Sequence, residues 1–215
     1  MSPRHVLVVA ALLASAPRVR ATEQDEPAPP APAPAPAIEG EAIVFGWVVP
    51  EQDNFAMADA WLDVRRLHIE ARYNYEALHS GSLFVGANAS AGDTIAIAAT
   101  GMVGALFGDA DGIVPGFRIA LTWWKLDLST EDEMVIDPWS LENSFFYSWS
   151  ELGFSPWTWL RVGLVAQRMR VLRTDLDFDR GLLVGVSFGK LTATVYELDA
   201  PWTTPTWVFA MAAHF

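Results

Sequence analysis

Charged side chains recur at every second position in one stretch of the chain. Arg66, His68, Glu70 and Arg72 alternate with aliphatic residues. Successive side chains of a strand point to opposite faces, so this spacing places all four on one face. An imidazole beside a carboxylate is one way to orient a general base. No serine stands at a spacing that marks a nucleophile, so we expect a hydrogen-bonded interior histidine and not an enzyme.

Three later segments carry charged or polar residues with the same alternation. A buried charge needs a partner of opposite charge, and residues on another strand supply it. We therefore expect an interior network of arginine–carboxylate pairs. Such a network either fills and braces the interior or lines a narrow polar pathway, and the pattern fits both. The predicted interior residues are Arg66, His68, Glu70, Arg72, Arg118, Asp127, Glu131, Glu133, Arg161 and Gln167.

Several other kinds of chemistry are not expected. The chain has no cysteine, which excludes disulfides, thiolate metal sites and cysteine nucleophiles. The acidic runs 109–111 and 175–179 lack the spacing of a calcium-binding loop, and no phosphate-binding glycine motif lies between a strand and a helix. A formal net charge of -12 argues against nucleic acid as a partner. We therefore predict no metal and no cofactor.

The elements that carry these residues are predicted to be strands. From about Trp61 to Phe215, apolar residues recur at every second position between clusters of Gly, Asp, Asn, Pro and Ser. We count about ten strands, within a range of roughly eight to twelve. The predicted segments are 61–77, 81–91, 93–107, 113–124, 126–137, 143–155, 157–173, 177–188, 190–199 and 205–215. Short and long connections alternate between them, as in an up-and-down meander.

The environment of these strands is predicted to be lipid. Several segments reach the length of about 9–11 residues that a tilted spanning strand needs. Both lysines, Lys125 and Lys190, lie in predicted tight turns. Aromatic residues crowd the strand ends, as in interfacial girdles, with Trp123, Trp124, Trp157 and Trp159 at short turns and Phe145, Tyr147, Trp202 and Trp207 nearer long loops. The predicted fold is an all-β, antiparallel, up-and-down transmembrane β-barrel.

Two arginines depart from the alternation. Arg168 and Arg170 share the parity of Leu160, Val162 and Leu164, which are expected to face lipid. An outward arginine is costly in the middle of a membrane. We therefore expect Arg168 and Arg170 to lie beyond the lipid band, near the outer rim, or to follow a bulge.

The segment before the predicted strands divides into three parts. Residues 1–21 have the polar start, apolar run and small-residue cleavage site of a secretory signal peptide. Its cleavage would remove three arginines and no acid, leaving 11 basic and 26 acidic residues, a net of -15. Residues 22–40 form an Ala/Pro-rich periplasmic spacer, and residues 41–57 are predicted to cover the periplasmic mouth or enter the lumen. The barrel is then expected over 58–215.

The C-terminal segment resembles the assembly signal of bacterial outer-membrane β-barrels. Phe209, Met211 and Phe215 alternate on one face, and the chain given ends on Phe215, with Ala213 where a bulkier residue is commoner. This resemblance implies a Gram-negative outer-membrane location. It also implies the barrel assembly machinery, periplasmic chaperones, outer-membrane lipid and lipopolysaccharide as partners. It implies no activity.

The predicted function is a porin-like outer-membrane barrel with a structural or narrow polar pore role. A soluble periplasmic barrel or sandwich that binds a ligand would use the same alternation around a core. An outer-membrane hydrolase is the third alternative, because about ten strands resembles the outer-membrane aspartyl-type protease barrels. The chain has no counterpart of their Asp-Asp and Asp-His pairs near the predicted strand ends.

Overall fold

The chain forms a closed barrel of twelve antiparallel strands. The structure is a computed structural model that describes residues 38–172, 177–200 and 204–215. Each strand pairs with the next one along the chain, and β12 pairs with β1. The strands are β1 Ile38–Val48, β2 Phe55–Val64, β3 Leu67–Tyr73, β4 Ser80–Ala91, β5 Ile95–Gly108, β6 Gly112–Trp123, β7 Leu126–Val135, β8 Phe145–Trp157, β9 Leu160–Val171, β10 Asp177–Phe188, β11 Leu191–Leu198 and β12 Thr206–His214.

The strand count corrects the sequence-based prediction of about ten. The predicted first strand, 61–77, is the end of β2, a tight turn and β3. This turn consists of Arg65 and Arg66, with Arg65 at a φ of 59°, and it contains no Gly, Asn or Pro to mark it in the sequence. Residues 41–57 form most of β1 and the start of β2, so placing them at the mouth or in the lumen was wrong.

The predicted boundary between spacer and barrel is also shifted. Residues 38–40 belong to β1, so the spacer cannot extend to residue 40. The predicted signal peptide and residues 22–37 lie outside the described residues, as does Trp202.

The barrel closes along the β1–β12 pair, which we call the closure seam. It runs in register from Glu41 opposite His214 to Val48 opposite Trp207. Beyond the last paired residue, Gly40 N donates to Phe215 O at 3.1 Å and Phe215 N donates to Gly40 O at 2.9 Å. The start of β1 and the end of β12 therefore meet at the barrel end that carries the tight turns, which we call the tight-turn end.

The outer wall is apolar over most of its area. On β5, every outward residue from Ile95 to Phe107 is apolar, and on β10 Leu182 and Val184 are half exposed. Trp123, Trp124, Trp157 and Trp159 stand exposed beside tight turns, as predicted. Aliphatic side chains on this wall have no protein partner to bury them, which is the reverse of a soluble barrel.

The interior differs between its two halves. Towards the opposite end, which we call the long-loop end, it is filled by a core that includes Phe45, Trp47, Phe84, Phe145, Tyr147, Trp149 and Leu198. Phe145 and Tyr147 belong to this core, so their predicted place in an outer aromatic girdle was wrong. Towards the tight-turn end many interior side chains of β5, β6 and β10 are small or hydroxylated, as at Ala96, Ala98, Thr100, Ala120, Thr122 and Ser187.

The connection between β3 and β4, residues 74–79, folds into the barrel. Tyr75, Glu76 and Ala77 are all buried, although they lie between strands. Asn74 anchors the segment, because its Nδ2 donates to Ala56 O at 3.0 Å and its Oδ1 accepts from His79 N at 2.7 Å. Strand alternation over the predicted segment 61–77 would place Tyr75 on the outer face. The inward fold of this connection buries Tyr75 instead. We call residues 74–79 the inward segment.

The connection between β7 and β8 remains outside and is ordered by one carboxylate. Asp137 accepts hydrogen bonds from Asn143 Nδ2 at 3.0 Å and from the backbone N–H groups of Trp139 and Ser140 at 2.8 and 3.0 Å. The Asn143 side chain, followed by these two backbone donors, lowers the pKa of Asp137. This connection also contains a short 3-10 helix, Leu141–Asn143.

Candidate functional site

Arg72 lies at the centre of an ion-pair network in the barrel interior. Its Nη2 donates to Glu131 at 2.7 Å, its Nη1 donates to Glu76 at 3.0 Å and to Glu133, and its Nε donates to Glu70. The guanidinium carbon lies 4.3 Å from the ring centroid of Tyr75 and 4.2 Å from that of Phe84. The alternation of β3 points Arg72 inward, and β7 supplies two of its four carboxylate partners.

Arg118 on β6 connects the two strands that supply these carboxylates. Its Nη2 lies 2.6 Å from Glu70 on β3, and its Nε donates to Glu131 on β7. The same Nη2 is 3.6 Å from Asp59 on β2. The planar guanidinium of Arg118 therefore connects carboxylates on three strands, β2, β3 and β7, which the single ammonium group of a lysine would not do in the same geometry.

His68 extends the network towards the tight-turn end. Its Nδ1 lies 2.6 Å from Asp63 and its Nε2 lies 2.8 Å from Glu70. Both nitrogens can donate to ionised carboxylates only when the ring is an imidazolium. His68 is thus fixed between two acids on the β2–β3 hairpin, and neither of its nitrogens faces a hydroxyl nucleophile.

A second interior cluster surrounds Arg161 on β9. Its Nη2 lies 2.5 Å from Asp127 and its Nη1 lies 2.6 Å from Glu151. Glu151 also accepts hydrogen bonds from Trp149 Nε1 at 2.9 Å and from Tyr196 OH at 3.1 Å. The guanidinium fits beside Gly153, where a side chain would collide with both Arg161 and Asp127. We call this the Arg161 cluster, and the network around Arg72 the Arg72 cluster.

The Arg72 cluster has more acids than bases. Two arginines face five carboxylates, which belong to Asp59, Glu70, Glu76, Glu131 and Glu133. The side chains of Arg72, Glu70 and Glu131 have no solvent-exposed area. Water therefore does not reach these three side chains.

The structure brings nine of the ten predicted interior residues inside the barrel. His68, Glu70, Arg72, Arg118, Glu131 and Glu133 join the Arg72 cluster, and Asp127 and Arg161 form the second cluster. Gln167 is also buried, and its Oε1 has no hydrogen-bond partner in the part of the chain that is described. The exception is Arg66, which lies exposed in the β2–β3 turn, so its predicted interior position was wrong.

Several members of the two clusters were missed at the sequence level. Asp59 and Asp63 alternate with aliphatic residues on β2, and that signal was available in the printed sequence. Glu151 follows Tyr147 and Trp149 at alternate positions of β8, which is the same kind of signal. Glu76 shares the parity of Glu70 and Arg72, but it lies in a connection between strands, and its burial results from the inward fold of that connection.

The described residues lack two other features. Among 38–172, 177–200 and 204–215, no group of three or more histidine or acidic residues is arranged to hold a metal ion. No helix in these same ranges is long and apolar enough to cross a membrane.

A comparison with solved structures finds a likeness of fold to a porin. A KdgM porin superposes with a TM-score of 0.55 at 8% sequence identity, over 81% of this chain and 98% of that one. Pseudomonas aeruginosa OccK5 (OpdH) matches with a TM-score of 0.44 at 7% identity, over 80% of this chain and 62% of that chain. Pseudomonas aeruginosa OpdQ matches with a TM-score of 0.44 at 8% identity, over 79% and 57%. The likeness to the first is one of fold.

Sequence comparisons add no closer relative. No protein-family model matches the chain. No curated protein matches it either.

Proposed function

We propose that this chain is a transmembrane β-barrel of a bacterial outer membrane. The observation that carries the proposal is the inverted polarity of the barrel, with aliphatic residues outside and buried ion pairs inside. On β3, for example, Ile69 and Tyr73 are exposed whereas Glu70 and Arg72 are buried. In water such a wall would expose a continuous apolar surface, but in lipid it is the expected arrangement.

Fractionation and gel mobility test this location. The expected result is a protein that leaves the membrane fraction only with detergent and migrates faster on SDS gels before heating than after. Recovery of the folded protein in the soluble periplasmic fraction would contradict the proposal and favour the soluble ligand-binding alternative.

We further propose a structural role, with an interior that is sealed at the level of the Arg72 cluster. The complete burial of Glu70, Arg72 and Glu131 supports this role, because these side chains lie together in the interior where water does not reach them. Purified folded protein in a planar bilayer is expected to show no steps in conductance. Regular steps from the wild-type protein would show that the interior is open.

A narrow polar pore is the second candidate function, and the inward segment is the observation that favours it. Part of the closure comes from a connection between strands, which is held by Glu76 through Arg72 and through Ser82 at 2.8 Å. The porin architecture of the KdgM match fits the same candidate. An E76A variant that conducts where the wild-type protein is silent would support the pore, and a silent folded variant would support the structural role.

A hydrolase has less support. His68 is bound at both nitrogens by carboxylates, so it presents no free base to a substrate. We propose that His68 and Glu70 are structural. An H68Q/E70Q variant is therefore expected to change stability without abolishing any hydrolytic activity of the purified protein.

Export and assembly complete the proposal. A cleaved signal peptide would take the chain to the periplasm, where chaperones and the barrel assembly machinery would receive it. Phe209 and Met211 face outward on β12 and are exposed, as is Phe215, which suits recognition by that machinery. A chain with F215A is expected to accumulate unfolded in the periplasm, whereas normal insertion would remove the role given to Phe215.

A further inference from the structure

One part of the outer wall is polar where the rest is apolar. At the long-loop end of β9 and β10, Arg168, Arg170 and Arg180 are exposed and share the outward parity of Leu164 and Leu182. The guanidinium of Arg168 lies 5.6 Å from the ring centroid of Phe178, its register partner on β10. We call these three residues and Phe178 the arginine patch. The sequence had marked Arg168 and Arg170 as departures, and no interior role explains them.

The neighbouring wall residues continue this polar character. Ser148 on β8, which has the outward parity but is buried, pairs with Arg168 on one side and with Asp132 on the other. Thr130 and Ser150 share a 3.0 Å hydrogen bond one step closer to the tight-turn end. On β5, by contrast, the outward face remains apolar up to Phe107 at its long-loop end. The polar area is therefore confined to one side of the barrel.

The distribution of positive charge isolates this patch. Among the described residues, the other arginines and lysines lie either in tight turns, as Arg65, Arg66, Lys125 and Lys190, or inside the barrel, as Arg72, Arg118 and Arg161. The connections at the long-loop end carry acids such as Asp109, Asp111 and Glu142. Among the described residues, the three arginines of the patch are therefore the positive charges on the outer wall at the long-loop end, although the chain as a whole is acidic.

We propose that the arginine patch binds the phosphate-bearing head group of an outer-leaflet glycolipid, lipopolysaccharide, with its acyl chains along the apolar wall below. This inference rests on the proposed location in the outer membrane, where the longer connections face outward and the long-loop end lies in the outer leaflet. Guanidinium groups bind phosphate oxygens in a bidentate geometry.

The vertical order of the wall matches a lipid of this kind. Below Arg168 on β9, the outward residues Ala166, Leu164, Val162 and Leu160 are apolar down to the tight turn. Below Arg180 on β10, Leu182, Val184, Val186 and Phe188 are likewise apolar. With its head group at the patch, the lipid would place its acyl chains along about four apolar outward residues on each of β9 and β10. Asp132 and Glu197 flank the patch, so the positively charged area of this wall is limited to the three arginines.

The patch does not need unoccupied arginines to bind a phosphate. Each guanidinium has five N–H donors in a planar fork, so contacts within the protein leave donors for a ligand. The stacking of Arg168 on Phe178 also holds the guanidinium against the wall, which reduces the entropy lost on binding.

The test compares two triple variants of the full-length, detergent-folded protein. R168Q/R170Q/R180Q removes the patch, and R65Q/R66Q/K190Q removes the same charge from the tight-turn end. Native mass spectrometry measures binding of diphosphoryl lipid A, of the dephosphorylated lipid with the same acyl chains, and of inorganic phosphate. Heat-modifiable mobility confirms that each variant is folded, and its loss in the wild-type protein would count against the membrane location and not against the patch.

The expected result is specific to the phosphorylated lipid. Each arginine near an anionic lipid surface contributes roughly a fivefold factor, so the patch variant should bind diphosphoryl lipid A about a hundredfold more weakly. The tight-turn variant should bind within about twofold of the wild-type protein, and raised salt should weaken binding. Equal affinity of the patch variant and wild type would overturn the inference. So would equally tight binding of inorganic phosphate, or loss of a protein oligomer in place of lipid binding.

Discussion

Arg72 illustrates how the interior tolerates charge at the scale of one residue. It donates to carboxylates from β3, from β7 and from the inward segment, so its removal takes away the one arginine that contacts Glu76 and Glu133 and one of the two that contact Glu70 and Glu131. Removing one partner of a buried ion pair costs about 3–5 kcal/mol. R72Q should therefore lower the free energy of unfolding by that amount, measured by urea unfolding in lipid vesicles with tryptophan fluorescence.

The matched control for this prediction is the same substitution at an exposed arginine. R66Q alters a side chain in the β2–β3 turn, where surface changes cost less than about 0.5 kcal/mol. If R72Q and R66Q unfold at the same urea concentration, the Arg72 cluster does not stabilise the barrel.

The Arg161 cluster depends on the small size of Gly153, which leaves room for the ion pair beside it. A Cβ at this position would lie 2.5 Å from Asp127 Oδ1 and in collision with Arg161 Nε. G153A should displace the Arg161–Asp127 pair and cost about 1–3 kcal/mol, the usual range for overpacking. The measurement is urea unfolding as above.

Gly101 provides the control for Gly153. A Cβ there would meet no atom within 4 Å, so G101A adds a methyl group to the outer face of β5 without a clash. Its stability should equal or slightly exceed that of the wild-type protein, since alanine also restricts the unfolded chain. Equal effects of the two alanine substitutions would contradict the packing argument.

Strand pairing can be tested at the scale of elements because the chain has no cysteine of its own. Val44 on β1 and Met211 on β12 are register partners on the outer face of the closure seam. A V44C/M211C variant should form an intramolecular disulfide on oxidation, detected as a mobility shift on non-reducing gels.

A second cysteine pair provides the control. V44C/L83C places the second thiol on β4, which is not a neighbour of β1. The two α-carbons are then too far apart for a disulfide. Cross-linking of the control, or none across the seam, would refute the twelve-strand pairing.

The element scale also shows what the sequence could predict. Alternation located most strands from β4 to β12, because one face of each is apolar and most of the connections between them contain Gly, Asp, Asn or Pro. It failed at the β2–β3 turn, because Arg66 extends the series of charged residues at every second position, His68, Glu70 and Arg72, back into the turn. Merging two strands there left an even count without residues 41–57, and this is why β1 was not recognised.

The candidate site was predictable to the extent that it depends on strand alternation. Arg118, Glu131 and Arg161 follow this rule and lie inside. The burial of Tyr75 and Glu76 does not follow from this rule. Both residues lie in a connection whose inward fold depends on tertiary contacts with Arg72 and Ser82. Local periodicity contains no information about such contacts.

At the scale of the whole molecule, the decisive property is the apolar outer wall. Val103 lies outward near the middle of β5 and is about half exposed. An arginine near the middle of a membrane costs about 2–4 kcal/mol in a barrel. V103R should lower stability in lipid vesicles by this amount, again measured by urea unfolding.

The control for Val103 places the same arginine at the end of the barrel. Thr94 lies exposed in the β4–β5 turn, where an arginine reaches water. T94R should have little effect on stability. A soluble barrel would tolerate both substitutions equally, so an equal outcome would argue against lipid as the neighbour of the wall.

The closure seam also has a kinetic consequence. Its two strands are separated along the chain by the ten others, so the contacts that close the barrel are the most distant in sequence that the fold contains. Closing so long a loop costs entropy before the seam returns any contact energy, and folding dominated by such contacts is slow. Until β12 has arrived, β1 exposes an unpaired edge that is prone to aggregate. Closure of the seam is therefore expected to be the rate-limiting step of assembly.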